Sequence, residues 1–381
     1  MATKEKILAV LEENKGKWYS GEDLAQITQV SRAAVWKAVK SLQNEGYEIS
    51  AVTNRGYCLA EKTDILSKAG ILKYLQAFRN KHDAQCGTEH YTVDGAERSA
   101  AEKNLSCGCS EFYDLQVVPV TGSTNTDVRE AAQKGAKEGY VVIAAEQTRG
   151  SGRRGRSFYS PSGTGVYISV LLRPENCPAG DAVRITTIAA VAACKSIEDL
   201  IMQEKSALEN IPAAENAADP QENARGTGNA PGIKWVNDVY MRGRKVCGIL
   251  TQGSFDMESA LLDYAVMGIG FNVYEPEGGF PEEIREIAGP VAAERAGDLR
   301  VHLAGSFLRH FGKVCDSLAE ASFAEEYRKR SIVTGQNILV LRNGQEIPAF
   351  AEDIDGECRL RVRYADGREE LLSSGEVSIR L

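Results

Sequence analysis

The sequence predicts a multidomain α/β protein in three parts: a small helical domain with a hairpin tail, an α/β domain interrupted by two polar insertions, and a short β domain closing the chain. Three observations carry this expectation. Apolar residues recur at helical spacing as far as Leu42, strand-like and helical runs alternate from Leu115 onward, and three turn dipeptides punctuate the stretch after Ile332. At 381 residues the chain has room for two or three domains and a substantial core.

Residues 1–62 form the first part. Lys4 to Glu13 carries Ile7, Leu8 and Leu11 at helical spacing, and a second short helix turns Leu24 and Ile27 inward. Ser31 is placed to cap a third helix, Arg32 to Leu42. Its Val35, Ala38, Val39 and Leu42 share one face and leave Arg32, Lys37 and Lys40 for solvent or phosphate. Tyr47 to Val52 and Tyr57 to Ala60 read as a two-stranded wing with Arg55 at its tip. A recognition helix beside a basic wing is winged helix-turn-helix logic. Nine basic residues against eight acidic ones leave this stretch at only +1, so a protein-interaction module stands as the alternative.

Residues 63–331 form the second part, entered by a linker and helix over Glu61 to Gln76. Stretches 77–112 and 203–232 are polar and aperiodic and read as surface insertions, which add little closure entropy. The first holds His82, Cys86, His90, Cys107 and Cys109, at spacings that match no standard zinc pattern. Leu115 to Val120 is a strand and Val128 to Lys137 a helix. Ser123, Thr124 and Asn125 lie between them, where hydroxyls and amides either cap the helix or meet a ligand. Asp181 to Met202 is an Ala-rich helix suited to covering a sheet. Ile233 to Tyr240 reads as an apolar strand with Lys234 embedded in it. An ammonium in such a place needs an anion, either a structural carboxylate or a ligand. Arg242 to Lys245 forms a hairpin turn, Val246 to Leu250 returns, and Leu261 to Tyr274 is a buried strand with Gly268, Gly270 and a terminal Asn272. Residues 332–381, with Asn343-Gly344, Asp355-Gly356 and Asp366-Gly367 between alternating runs, read as a small β-barrel-like domain.

The densest chemical signal is residues 144–156, where Arg149, Arg153, Arg154 and Arg156 alternate with Gly150, Gly152 and Gly155. Such a loop can fold close to a ligand and surround phosphate or carboxylate; the alternative is a solvated basic loop. Its three glycines satisfy G-x-G-x-x-G after the strand Tyr140 to Ala145, yet breakers and a second strand, Val166 to Leu172, follow where a dinucleotide fold requires a helix. No Walker-type phosphate loop occurs either.

A formal charge of −8 excludes wholesale coating of nucleic acid, so any DNA contact must be a local patch. No run approaches the roughly 18 apolar residues of a membrane span, and acidic residues interrupt the N-terminal apolar run before it resembles a signal peptide. Nine scattered cysteines then suggest thiols in a reducing cytoplasm.

Ser123-Thr-Asn125, the loop from Gln147 to Arg156, Lys234-Trp-Val-Asn-Asp238, Gly248-Ile-Leu and Gly268-Ile-Gly-Phe-Asn272 together resemble the biotin protein ligases. With the N-terminal domain, the likeness extends to their bifunctional ligase-repressors. It covers nearly all of the chain except the two insertions. Two positions depart from the family pattern: Ser151 replaces the first arginine of the loop, and Val236 stands where proline is common.

The resemblance implies a class II aminoacyl-tRNA synthetase-like catalytic domain with a mixed sheet, followed by an SH3-like barrel. It implies ATP-dependent conversion of biotin to biotinoyl-AMP, transfer to a lysine of a biotin carboxyl carrier protein, and biotin-responsive repression of the biotin operon. Ser123, Thr124, Asn125 and Gln147 are implied to bind the biotin rings, with Gly150, Ser151, Gly152 and Arg153 at the carboxylate end and Lys234 also among the biotin-binding residues. Arg153 and Lys234 are implied to be catalytic, and Arg153, Arg154, Arg156, Asn237 and Asn272 to bind nucleotide. Mg²⁺ is implied to bridge phosphate oxygens, with Asp238 as a candidate ligand. Ser31, Arg32, Trp36, Lys37, Lys40 and Arg55 are implied to contact operator DNA, as a homodimer formed when biotinoyl-AMP is bound. Two alternatives remain open: a lipoate-type ligase, and a biotin-sensing repressor that does not ligate.

Overall fold

The computed structural model describes residues 2–76, 112–174, 177–178, 182–208, 228–256, 258–316, 322–342, 344–373 and 375–379. The polar stretch 77–112, with its His82, Cys86, His90, Cys107 and Cys109, lies outside the described residues apart from Phe112, as does 209–227 of the second stretch. The chain folds as two compact units: Met1–Phe112 with Arg295–Ser306, and Tyr113–Glu294 with Phe307–Leu381.

In the first unit, α1 (Thr3–Glu13), α2 (Gly21–Thr28) and α3 (Arg32–Asn44) precede a hairpin of β1 (Ile49–Val52) and β2 (Gly56–Leu59). Ser20 caps α2 by accepting the Asp23 N–H at 3.0 Å, and Ser31 caps α3 by accepting that of Ala34 at 3.2 Å. Ile7, Leu11, Leu24, Val35, Val39 and Leu42 make the fully buried centre. Ile27, expected to point inward, is instead 54% exposed. The buried side of α2 is centred on Leu24, Ala25 and Thr28, and at 100° per residue Ile27 falls about a quarter turn away from it.

α4 (Lys68–Gln76) and the first turns of α7 (Leu299–Asp316) complete this unit around a charged cluster. Lys15 lies 3.1 Å from Glu12 and 3.0 Å from Asp298, Tyr74 donates to Asp298 at 2.7 Å, and Arg300 bonds Asp64 at 3.0 Å.

The second unit is built on a seven-stranded mixed sheet in the order β3-β4-β5-β9-β8-β7-β6. Its strands are β3 (Asp114–Thr121), β4 (Tyr140–Gln147), β5 (Gly165–Leu172), β6 (Gly232–Lys234), β7 (Asp238–Met241), β8 (Arg244–Phe255) and β9 (Leu262–Asn272). Only β3 and β4 pair in parallel, because α5 (Thr124–Gln133) crosses between them; the rest are antiparallel. Val128 and Ala132 of α5 pack on Val142, Leu171, Tyr264 and Val266 of the sheet. α6 (Ala182–Leu208) packs against β8, and its run Ala189, Ala190, Ala192, Ala193 is fully buried. Residues 203–208 continue this helix where the sequence suggested loop.

The expected single strand from Ile233 to Tyr240 is two strands, β6 and β7, paired through a turn at 235–237. Partners outside the sheet hold that turn. The Trp235 indole N–H bonds the Cys358 carbonyl at 2.9 Å, and the hydroxyl of Tyr327, on α8 (Ser322–Lys329), bonds the Val236 carbonyl at 3.0 Å. Lys234 therefore ends a strand rather than lying within one, and is half-buried.

The closing segment is an antiparallel sheet in the order β13-β12-β11-β10-β14. Its strands are β10 (Asn337–Arg342), β11 (Gln345–Ile354), β12 (Leu360–Tyr364), β13 (Glu369–Leu372) and β14 (Glu376–Ile379). Gly344, Gly356 and Gly367 all fall in its hairpin connections. Among the described residues no pairing joins β13 to β14, so the sheet is not closed into a barrel. Cys58, Cys177, Cys194, Cys247 and Cys358 are free thiols. No described helix is long and apolar enough to cross a membrane.

Burial raises the Glu12 carboxyl above its ordinary value, with Lys15 acting in the opposite direction. A raised folded-state value means the native protein holds its proton to higher pH than the unfolded chain does. The associated stability is present at low pH and is lost as pH rises through the folded value. Thermal unfolding of the wild-type chain and of Glu12→Gln between pH 4.5 and 7 should therefore differ in slope. The wild type should gain stability relative to the variant as pH falls, and parallel curves would remove Glu12 from the account.

Candidate functional site

The site begins with two cross-strand rows on one sheet face, each holding glycine where a neighbour would otherwise stand. Ser169 on β5, Gly268 on β9 and Leu250 on β8 stand directly opposite one another, and Tyr167, Gly270 and Gly248 form the next row. Side chains facing one another across strands share a face, so the glycines at 248, 268 and 270 leave space on this face for side chains from elsewhere. Two side chains use that space. A Cβ on Gly268 would lie 1.8 Å from the Asn125 Oδ1, and one on Gly270 would lie 2.6 Å from the Phe158 ring.

Ser123, Thr124 and Asn125 come from the N-terminus of α5, and all three are buried. Ser123 has the extended backbone of a cap residue, but its side chain makes no capping bond. The capping alternative is therefore not what its hydroxyl does. The Thr124 N–H and hydroxyl both donate to the Gln147 Oε1, at 2.9 and 3.1 Å, and the Gln147 amide donates to the Ser160 hydroxyl at 3.2 Å. The Ser169 hydroxyl lies 2.6 Å from the Asn125 Oδ1 and 2.7 Å from the Thr124 hydroxyl oxygen, while the Asn125 amide donates to Gln252 at 3.1 Å. These bonds fix the orientation of both amides, which matters where each presents a donor and an acceptor.

The arginine loop leaves β4 and folds back on itself. The Gly152 N–H bonds the Arg156 carbonyl at 2.7 Å, and the Phe158 N–H bonds the Gly150 carbonyl at 2.9 Å. Gly150 is buried, and a Cβ there would sit 2.4 Å from the Phe158 carbonyl oxygen, so only glycine fits. Arg154 has φ 55°, a left-handed conformation uncommon for a side-chain-bearing residue. The Arg153 guanidinium crosses to the β6–β7 turn and donates to the Asn237 Oδ1 at 2.8 Å. The Asn237 amide donates to the Asp238 carboxylate and the Ile249 carbonyl, both at 3.0 Å, and Asp238 holds the Lys245 ammonium at 2.7 Å.

A cavity opens over this arrangement. Of the residues singled out in the sequence, Ser123, Thr124, Asn125, Gln147, Ser151, Gly152, Arg153 and Asn237 line it. Gly150, Lys234, Arg154, Arg156 and Asn272 are not part of that lining. Lys234 shares the sheet face through its pairing with Asp238, but its ammonium lies over the Tyr240 ring, 5.3 Å from the centroid. Asn272 supports from below, donating to the Lys245 carbonyl at 3.3 Å, and Arg154 lines a neighbouring cavity with Arg342 of the C-terminal sheet. Phe158, Lys245, Gly248, Gly268 and Gly270 line the main cavity without having been assigned a role from sequence. The signal available for Lys245 was its position two residues before Cys247-Gly248; for Ser169 it was one hydroxyl in an otherwise apolar run.

The neutral amides and hydroxyls suit an uncharged polar group, and Arg153 and Lys245 suit an anion beside it. Asp238, the candidate metal ligand, is paired with the Lys245 ammonium. Among the described residues no three His, Cys, Asp or Glu groups gather as a metal site.

In the first unit, Arg32, Trp36, Lys37, Lys40 and Arg55 are exposed, Trp36 to 57%. The Arg55 guanidinium stacks on the Trp18 ring at 4.3 Å, and Arg32 lies 3.6 Å from Glu22.

Comparison with known proteins identifies the families that the chain matches. Residues 117–272 match the Biotin/lipoate A/B protein ligase family, 3–58 an HTH domain, and 333–380 the Biotin protein ligase C terminal domain. The chain is 29% identical to the Bifunctional ligase/repressor BirA of Bacillus subtilis (strain 168) over 71% of its own length and 65% of that protein's, so it spans just under two thirds of this relative. It is 31% identical to the Biotin--[acetyl-CoA-carboxylase] ligase of Mycobacterium tuberculosis (strain ATCC 25618 / H37Rv), covering 74% of this chain and 94% of that one. Biotin protein ligase from Aquifex aeolicus, solved in complex with biotin and ATP, shares the fold at a TM-score of 0.52 and 22% identity, over 71% of this chain and 99% of that chain. With a helix-turn-helix domain before its ligase fold and a ligase C-terminal domain after it, the chain belongs to the biotin protein ligases of the Biotin/lipoate A/B protein ligase family.

Proposed function

We propose that this chain activates biotin with ATP to biotinoyl-AMP, passes the biotinoyl group to a lysine of a biotin carboxyl carrier protein, and represses the biotin operon in response to biotin. The observation that carries the reading is the polarity of the cavity, which has fixed neutral amides at Asn125 and Gln147 and cations at Arg153 and Lys245. Biotin has the same order: a neutral bicyclic ring, then a chain ending in carboxylate.

In this reading Ser123, Thr124, Asn125 and Gln147 hold the rings, and Ser151, Gly152 and Arg153 the carboxylate end. A carboxylate oxygen attacks the α-phosphorus as the bond to pyrophosphate breaks. The carrier amine then attacks the acyl carbon, losing a proton as AMP departs. Both reactants of the first step are anions, so the chain's task is to bring them together and neutralise them. Lys234, Arg154, Arg156 and Asn272 are proposed to reach the nucleotide when it binds. Mg²⁺ enters with ATP as part of the substrate. The division into residues 1–62, 63–331 and 332–381, the likeness of the central domain to class II synthetases, and the SH3-like character of the last domain belong to the same proposal.

Ser31, Arg32, Trp36, Lys37, Lys40 and Arg55 are proposed to meet operator DNA, through a homodimer formed once biotinoyl-AMP is bound. The exposure of Trp36 supports this, because a core role would have buried it.

Incubation with biotin, ATP-Mg²⁺ and a carrier domain should add one biotinoyl mass to the carrier lysine. Arg153→Ala should slow adenylate formation by about 10²- to 10³-fold, the usual loss for one preorganised charge contact. Labelling by lipoate instead, or tight biotin binding with no labelling, selects a different reading. Gly268→Ala should weaken biotin binding at least tenfold in calorimetry, since the new methyl displaces the Asn125 amide; unchanged affinity would separate Asn125 from the ligand. Band shift on the biotin operon promoter should strengthen when biotin and ATP are added together, and Lys37→Ala with Lys40→Ala should weaken it. A shift indifferent to both ligands removes the co-repressor link.

A further inference from the structure

We infer that Trp18 is a positioning residue for DNA binding: its ring holds the Arg55 guanidinium at the wing tip as a preset clamp for one backbone phosphate. This rests on the repressor reading above and adds to it a residue outside the recognition helix and the hairpin, in the connection between α1 and α2.

Backbone contacts first fix where the two side chains start. The Tyr19 N–H bonds the Tyr57 carbonyl at 2.9 Å and the Tyr57 N–H returns to the Tyr19 carbonyl at 2.8 Å, so the connection runs antiparallel beside β2. Gly56 passes close against it, where a Cβ would lie 2.0 Å from the Tyr19 carbonyl oxygen. The tip is closed by the Arg55 N–H on the Val52 carbonyl at 3.1 Å, with Asn54 in the left-handed region at φ 65°. Trp18 and Arg55 each adjoin one of the pinned residues, Tyr19 and Gly56. Their backbone positions are therefore set before their rotamers are.

The side chains then meet. The guanidinium carbon lies 4.3 Å from the centroid of the Trp18 ring, which is half-buried, while Arg55 is exposed. An aromatic face attracts the cation without neutralising it, and the five N–H donors lie in the plane of the guanidinium, clear of the ring. Among the described residues no carboxylate or hydrogen-bond acceptor takes those donors, whereas Arg32 lies 3.6 Å from Glu22. A planar fork held in one orientation suits the paired oxygens of a phosphate, and much of the side-chain entropy that binding removes is already gone. That matters where the first 62 residues carry only +1, because the general field adds little and each preset phosphate contact counts.

The test is a mutant cycle on the full chain, reading affinity for the biotin operon promoter with biotin and ATP-Mg²⁺ over about 50–200 mM salt. Arg55→Ala should weaken binding about tenfold and flatten the slope of log affinity on log salt by about 2, one phosphate for each copy of the proposed homodimer. Trp18→Leu keeps apolar bulk and removes the aromatic face. It should weaken binding about fivefold in the wild-type chain but less than about twofold once Arg55 is alanine. Trp18→Phe, which restores an aromatic face at similar bulk, should bind within about twofold of the wild type, a difference that a purely structural role would not produce. An equal loss from Trp18→Leu in both backgrounds overturns the assignment, as does an Arg55→Ala variant with wild-type affinity and salt slope. No promoter binding by the wild-type chain would instead overturn the repressor reading itself, and this inference with it.

Discussion

The hydrogen bond from Arg153 to the Asn237 side chain, at 2.8 Å, is the contact on which the rest of the site depends. The loop that carries Arg153 is spaced with glycines and partly exposed, so its backbone alone does not determine where the guanidinium goes. Asn237 does, because its amide is itself fixed by Asp238 and Ile249. A charged donor to a neutral acceptor contributes about 1.5–3 kcal/mol. That is enough to dock the loop, and little enough for a ligand carboxylate or phosphate to exchange for it.

Asn237 is reliable as a post because its turn is clamped from outside the sheet. Burial raises the Tyr327 phenol well above its usual range, so the hydroxyl keeps its proton and keeps donating to Val236. The Trp235 indole has no acceptor character and can only donate, which it does to the Cys358 carbonyl in the connection between β11 and β12. The C-terminal domain thereby contributes to the site without lining the main cavity. It holds the turn that holds the loop.

Much of this was legible in the sequence, for a physical reason. The strands Leu115–Val120 and Val166–Leu172 and the turn glycines Gly344, Gly356 and Gly367 follow from local rules of spacing and backbone freedom, and local rules act within a few residues. The same holds for the loop and for Ser123-Thr-Asn125, whose chemistry is concentrated in short stretches. What stayed hidden depends on partners far along the chain. Ile233 to Tyr240 reads as one strand until Tyr327 and Cys358 take hold of its middle. Lys245 reads as a turn residue because no local pattern announces that Val246 is bulged, and one bulge moves a side chain from one sheet face to the other. Ser169 is a single hydroxyl in an apolar strand, and only its cross-strand neighbour Gly268 explains it. Ile27 shows the converse: apolar character suggested burial, but the face of a two-turn helix is decided by which neighbours it packs on.

Electrostatics link the two proposed activities. The chain carries −8 overall and its first 62 residues only +1, so a single helix-turn-helix domain offers DNA little general attraction. Part of even that charge is engaged, with Arg32 near Glu22. Affinity from phosphate contacts rises steeply with their number, so one copy is a poor binder whereas two copies on paired half-sites double the contacts for a single loss of translational freedom. On the proposed reading this weakness is what makes the switch responsive. A domain basic enough to hold DNA alone would stay bound whether or not biotinoyl-AMP was present. On that reading, one that needs a second copy gives control of the operator to whatever favours pairing, which is bound biotinoyl-AMP.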